Sequence, residues 1–234
     1  MMEAFKKPVL VTKEDLYTMV EQIWPGGTTI IENRGALGAE FVLHAFIQYS
    51  KRKGIPLIVE DIFDTLPIYM RHLRLMGVSI NDRDIMVIKV GGTQEAGNVI
   101  ARIRFENDPH VYQRKIDKEL QKVVGNGVYI HLVLGLERLL FLQGDVRSTY
   151  TLLGLIKQKL GDRRRVNVYL IEAPIMETLD FNPLPMLEDI ATSAVEVTNE
   201  GELIRMKFRK SVFTMLMHRE YVLVSPRETL RWWS

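Results

Sequence analysis

The 234-residue chain has no cysteine. Disulfides, thiolate zinc sites and cysteine nucleophiles are therefore excluded. It has no uninterrupted apolar run near the roughly 18 residues that a membrane span takes, so no membrane partner is expected. Residues 1–15 lack the apolar core of a signal peptide, which makes a cytoplasmic location the expectation. A charge excess is missing as well: 31 lysines and arginines face 29 acids, for a net charge of +2. So even a balance does not announce a nucleic-acid partner. The five histidines fall at 44, 72, 110, 131 and 218 with no HExxH spacing. No metal or other cofactor is expected, and no GxSxG elbow marks a hydrolase.

What the chain does have is apolar residues, 47% of the total, enough to bury a substantial core. Short β-branched runs alternate with helical periodicity. Lys13–Ile23 reads as a helix opened by Thr12 and Asp15 at capping-box spacing and ended by Pro25-Gly26-Gly27. Thr28–Ile31 is a strand. A helix starting at Gly38 or Ala39 runs to Lys53, with Gly54 as its stop and three cations at its end. Ile55–Val59, Ile85–Val90, Val128–Leu134 and Val166–Ile171 read as buried strands. Val99–Phe105 alternates and suits a sheet margin. Helices are expected over Leu66–Met76, Val111–Val123 and Thr149–Leu160, with a short helical turn at Leu187–Thr192. Apolar strands between helices predict an α/β fold whose central sheet is mainly parallel. Residues 194–224 predict an antiparallel C-terminal extension of one domain covering 1–234. Ligands in such folds bind outside the carboxyl ends of the strands. Those ends fall near Glu32–Gly38, Glu60–Asp64, Gly91–Thr93, Gly135–Arg138 and Glu172–Pro174.

The order of these elements, across roughly Lys13 to Val224, resembles the RecA-like P-loop ATPases. Within them it is similar to the KaiC-like proteins, and close to a small archaeal family with a degenerate nucleotide site. The resemblance implies a phosphate loop after the first buried strand, ending in lysine and a hydroxyl residue. The matching stretch here is Glu32-Asn33-Arg34-Gly35-Ala36-Leu37-Gly38-Ala39. Gly35 stands where a family glycine falls, and Leu37 replaces another. Gly38 and Ala39 take the lysine and hydroxyl positions, so the cation for the phosphates and the oxygen for magnesium are both gone. A helix N-terminus remains to attract an anion, and Arg34 is the cation the loop offers. The family acid that positions magnesium would fall near Leu134, with Glu137 the nearest carboxylate, offset along the chain. The water-activating acid would be Glu60 or Asp61, which without those partners reads as a solvated acidic loop.

The remaining features are weighed on their own. His131 interrupts an apolar strand and needs a partner if buried, structural or as a general base. Arg205, Lys207 and Arg209 share one face of an alternating strand, suited to phosphate backbones or simply to solvent. Met215, Met217, Trp232 and Trp233 make the C-terminal region apolar and suggest an interface. The expectation is a KaiC-like protein that has lost ATPase activity and serves as a protein- or peptide-binding, regulatory module. The resemblance adds homo-oligomerisation. The alternatives are an atypical nucleotide-dependent enzyme using Glu60 and Arg34, or a nucleic-acid-binding protein using the basic stripe.

Overall fold

Local rules set the helix ends. The Asp15 carboxylate accepts from the Thr12 amide at 3.0 Å, and Thr12 Oγ1 accepts from the Asp15 amide at 3.3 Å. This reciprocal capping box opens helix α1 (Lys13–Glu21). Gly54, at φ 64°, closes α2 (Gly38–Lys53), where a side chain would be strained. Asp108 accepts from the amides of His110 and Val111 to open α4 (Pro109–Val123).

The computed structural model describes residues 9–10, 12–21, 23, 25–35, 37–212 and 222–226. The strands in chain order are β1 (Val9–Leu10), β2 (Thr28–Asn33), β3 (Leu57–Ile62), β4 (Met86–Val90) and β5 (Asn98–Ile103). There follow β6 (Tyr129–Leu134), β7 (Arg165–Glu172), β8 (Ser193–Glu200), β9 (Leu203–Ser211) and β10 (Val222–Val224). The other helices are α3 (Thr65–Leu75), α5 (Leu136–Gln143), α6 (Val146–Lys157), α7 (Ala173–Met176) and α8 (Leu184–Ile190). All ten strands form one sheet in the order β1-β10-β9-β8-β2-β7-β6-β3-β4-β5.

From β8 to β5 every pairing is parallel, and the hairpin β8–β9 begins the antiparallel part. β8, expected to open the extension, thus runs parallel to β2 and belongs to both parts. β10 is antiparallel to β9, and β1 pairs with it in parallel. One face of the sheet packs on α1, α2 and α3, through residues such as Val20, Phe46 and Met70. The other packs on α4 to α8, through Ile116, Leu139, Ile156, Met176 and Leu187. Strands buried on both faces explain the nearly continuous apolar runs.

Several boundaries differ from the sequence reading. α5 was not anticipated: a run of leucines follows β6 directly, and only Gly135, at φ 86°, turns the chain from strand to helix. α6 starts earlier than Thr149, because Asp145 accepts from the Ser148 amide at 2.8 Å and caps it. α8 starts at Leu184, opened by Pro183 and Pro185, rather than at Leu187.

Candidate functional site

The carboxyl edge of the parallel strands gathers the polar side chains that sequence alone places there, and several it does not. Adjacent strand residues point to opposite faces, so Glu32 and Asn33 part company. Asn33 turns to the α2–α3 side. Its Nδ2 donates to Glu172 at 2.8 Å, and its Oδ1 accepts from the Gly35 amide at 3.3 Å. Tyr69 of α3 donates to the other Glu172 oxygen at 2.5 Å. Glu40, buried in the first turn of α2, lies 2.6 Å from Nδ1 of His72. Glu137, in the first turn of α5, is fully buried, and neither of its oxygens finds a well-formed hydrogen bond. Arg138 Nε is 4.0 Å away. Burial first, then the nearby Glu172 charge, pushes Glu137 up to about 7. Burial and then Glu172 also push the Tyr69 hydroxyl far above its ordinary value.

Arg34 and Gly35 lie against β8. The Arg34 amide donates to the Val197 carbonyl at 2.8 Å. A Cβ on Gly35 would overlap the Asn199 amide oxygen, and one on Gly38 would sit 2.5 Å from both Asn33 Oδ1 and Val197 Cγ1. The space a side chain at Gly38 would need is therefore filled by the protein itself. Ala39 is fully buried in α2, and Leu134 is fully buried at the end of β6, on the α2–α3 face. Ala36 lies outside the described residues.

Glu32 turns to the opposite face, against α7 and α8. Arg34 reaches it at 3.1 Å, Glu177 at 2.7 Å and Glu196 at 3.5 Å. Arg209 reaches Glu188 at 2.9 Å, Glu32 at 3.3 Å and Glu196 at 3.6 Å. Two guanidiniums thus serve four carboxylates. Burial and then the Glu188 carboxylate push Glu32 up to about 7, against the pull of Arg34 and Arg209. Arg34, expected as a phosphate ligand, is held by Glu177 and Glu32. Of the basic stripe on β9, Arg209 belongs to this network, Lys207 pairs across the strands with Glu196, and Arg205 is 3.9 Å from Glu200. The stripe is thus interleaved with acids rather than a bare cationic face.

Glu60 and Asp61 are not a solvated loop. They sit within β3, 3% and 1% exposed, on opposite faces. Glu60 accepts from the Tyr112 hydroxyl and lies 3.1 Å from Nε2 of His131, which gives that buried histidine its neighbour. Asp61 accepts from the Leu66 amide at 2.8 Å and from Lys89 at 3.0 Å. Lys89, 2% exposed, also reaches Asp64, whose carboxylate holds the amides of Thr93 and Gln94. Both acids are committed to the interior. Met215, Met217, Trp232 and Trp233 lie outside the described residues. Among the described residues no cluster of three potential ligands suits a metal ion, and no helix is long and apolar enough to cross a membrane.

Glu172 and Glu40 were not singled out as site residues by sequence. The end of β7 marks Glu172 as an edge residue, whereas nothing local marks Glu40, one turn into a helix.

A family model described as "Pyrococcus protein of unknown function, DUF257" matches residues 18–221. A solved structure from the study of PH0250 of Pyrococcus horikoshii OT3 superposes with a TM-score of 0.75 at 24% identity. The match covers 92% of this chain and 98% of that one. The KaiC-like protein PH0186 of the same hyperthermophilic archaeon superposes with a TM-score of 0.56 at 14% identity, over 80% of each chain. Curated protein sequences give no match. Likeness at these identities concerns the fold, and that fold is RecA-like.

Proposed function

Since the chain belongs to the Pyrococcus protein family of unknown function DUF257, we propose from its own residues that it is a RecA-like module without ATPase activity that binds a protein or peptide. One observation carries the first half. The edge where a triphosphate would lie is occupied by the protein's own groups. Asn33 takes the Gly35 amide, and Gly38 has no room for a lysine. Glu40, Glu137 and Glu172 bring carboxylates to the same edge, on the α2–α3 side. A polyphosphate would bring its charge up against these acids, and each one that is ionised costs about 4 kcal/mol at 4 Å in a medium of intermediate polarity. The α2 N-terminus alone is too weak to offset that, since a helix end contributes about 1 kcal/mol.

The second half is supported by large apolar side chains left exposed on α5 and α6, among them Phe141, Leu142, Val146 and Tyr150. Calorimetric titration with ATP and ADP, with and without magnesium, is expected to give no heat, and millimolar nucleotide is expected to leave the melting temperature unchanged. Micromolar binding would overturn the first half. Arg34→Ala would then be the first variant to examine.

A further inference from the structure

Charge is unevenly spread along the chain. Between Val166 and Ile204 there are eight carboxylates and no lysine, arginine or histidine. This stretch supplies α7, α8 and the loop between them. Glu177 and Glu188 are neutralised by Arg34 and Arg209. Asp180 has no ion pair among the described residues and is exposed.

Asp180 stands on a groove between that loop and the α5–α6 junction. The groove has about 310 Å³ of space. Phe141 and Val146 form one side, Leu179 and Phe181 the other, and Asp145 and Asp180 supply the charge. Phe141 is 60% exposed and Val146 54%. Tyr150, one turn further along α6, is 63% exposed. Apolar side chains of this size cluster on protein surfaces mainly where something covers them. The volume lies at the lower end of the range in which ligand pockets fall, about 300 to 1,000 Å³. Asp145 accepts from Ser148, which holds its carboxylate below the usual range and keeps it ionised. Arg147, two residues further on, adds to that lowering.

We propose that this groove is a docking site for a peptide segment that presents a large apolar side chain flanked by lysine or arginine. The apolar walls take the side chain, and the carboxylates of Asp180 and Asp145 take the flanking cation. The two negative charges at the mouth disfavour a phosphate backbone or an acidic peptide. The inference names a surface for the peptide-binding half of the reading above. Nucleotide binding would end the other half and leave the groove untouched.

The test uses the full chain and a fluorescently labelled synthetic peptide of leucine, phenylalanine and lysine, with its counterpart carrying glutamate for lysine. The lysine peptide is expected to bind, more weakly as salt rises, and the glutamate peptide is not. Asp180→Lys and Phe141→Glu are each expected to weaken binding by about tenfold or more. Both positions are exposed, so melting temperatures should hold. Equal affinity for the two peptides, unchanged affinity in both variants, or no binding of the lysine peptide at millimolar concentration would overturn the proposal. Sedimentation supplies the other arm. A parent dimer that dissociates in Phe141→Glu would give the groove to a second copy of the chain, and the proposal would fall.

Discussion

Glu137 carries the clearest single-residue consequence. Its carboxyl is raised from an ordinary value of 4.5 to about 7, mainly by burial. In that interval the folded protein holds a proton that the unfolded chain has released. The stabilisation is complete below about pH 4.5 and declines as pH rises through about 7. Glu137→Gln keeps the site neutral at every pH. It is expected to gain on the order of 3 kcal/mol over the parent near pH 8, and almost nothing near pH 4. Denaturant unfolding at both values decides the matter: an equal gain at each would mean that charge is not the cause. Gly38 makes the opposite point about space. Gly38→Lys returns the lysine that the resemblance expects of a phosphate loop, yet its Cβ would meet Asn33 and Val197. It is expected to cost about 1–3 kcal/mol and to recruit no nucleotide. A variant that melts at the parent temperature and binds ATP would refute both parts.

Among the elements, the turn from β3 into α3 is the most constrained. Phe63 and Asp64 both take left-handed backbone conformations, at φ 51° and 61°. Asp64 is held there by Lys89 and by the amides of Thr93 and Gln94. Lys89→Ala would leave Asp61 and Asp64 facing each other without their cation. The expected loss is about 3–5 kcal/mol, read from chemical denaturation, whereas Asp108→Ala at the start of α4 should cost only about 1 kcal/mol. If the two losses proved alike, Lys89 would be a bystander. Elements of this kind also show how far sequence reading reaches. Gly54 ending α2, and Thr12 with Asp15 opening α1, are local signals and could be read directly. α5 could not, because leucines continue from strand into helix and the change rests on one backbone angle at Gly135. Ending β3 at Val59 left Glu60 and Asp61 together in a loop, whereas the strand runs on to Ile62 and parts them. Their burial could not be foreseen either, since Tyr112, His131 and Lys89 come from distant strands and helices. Asn33 and Glu137 were singled out, but not their meeting with Glu172 and Tyr69, which comes about only once the sheet has formed.

Across the whole molecule, the parallel character of the sheet was legible in apolar runs separated by helices, while the strand order was not, because pairing partners lie far apart in sequence. That order predicts a gradient of protection. Backbone amides of β2, β7, β6 and β3 should exchange with deuterium most slowly, and those of the edge strand β5 sooner. If β5 outlasted β6, the centre of the sheet would not be the stable core. The placing of β2 has a further consequence for synthesis. It is among the first strands to leave the ribosome, and its two neighbours, β7 and β8, are among the later ones. Until Ser193–Glu200 has emerged, the segment Thr28–Asn33, buried throughout in the finished fold, has at least one bare edge. Most of the nascent chain must therefore wait, with an open strand to shield from other chains, before its central seam can close.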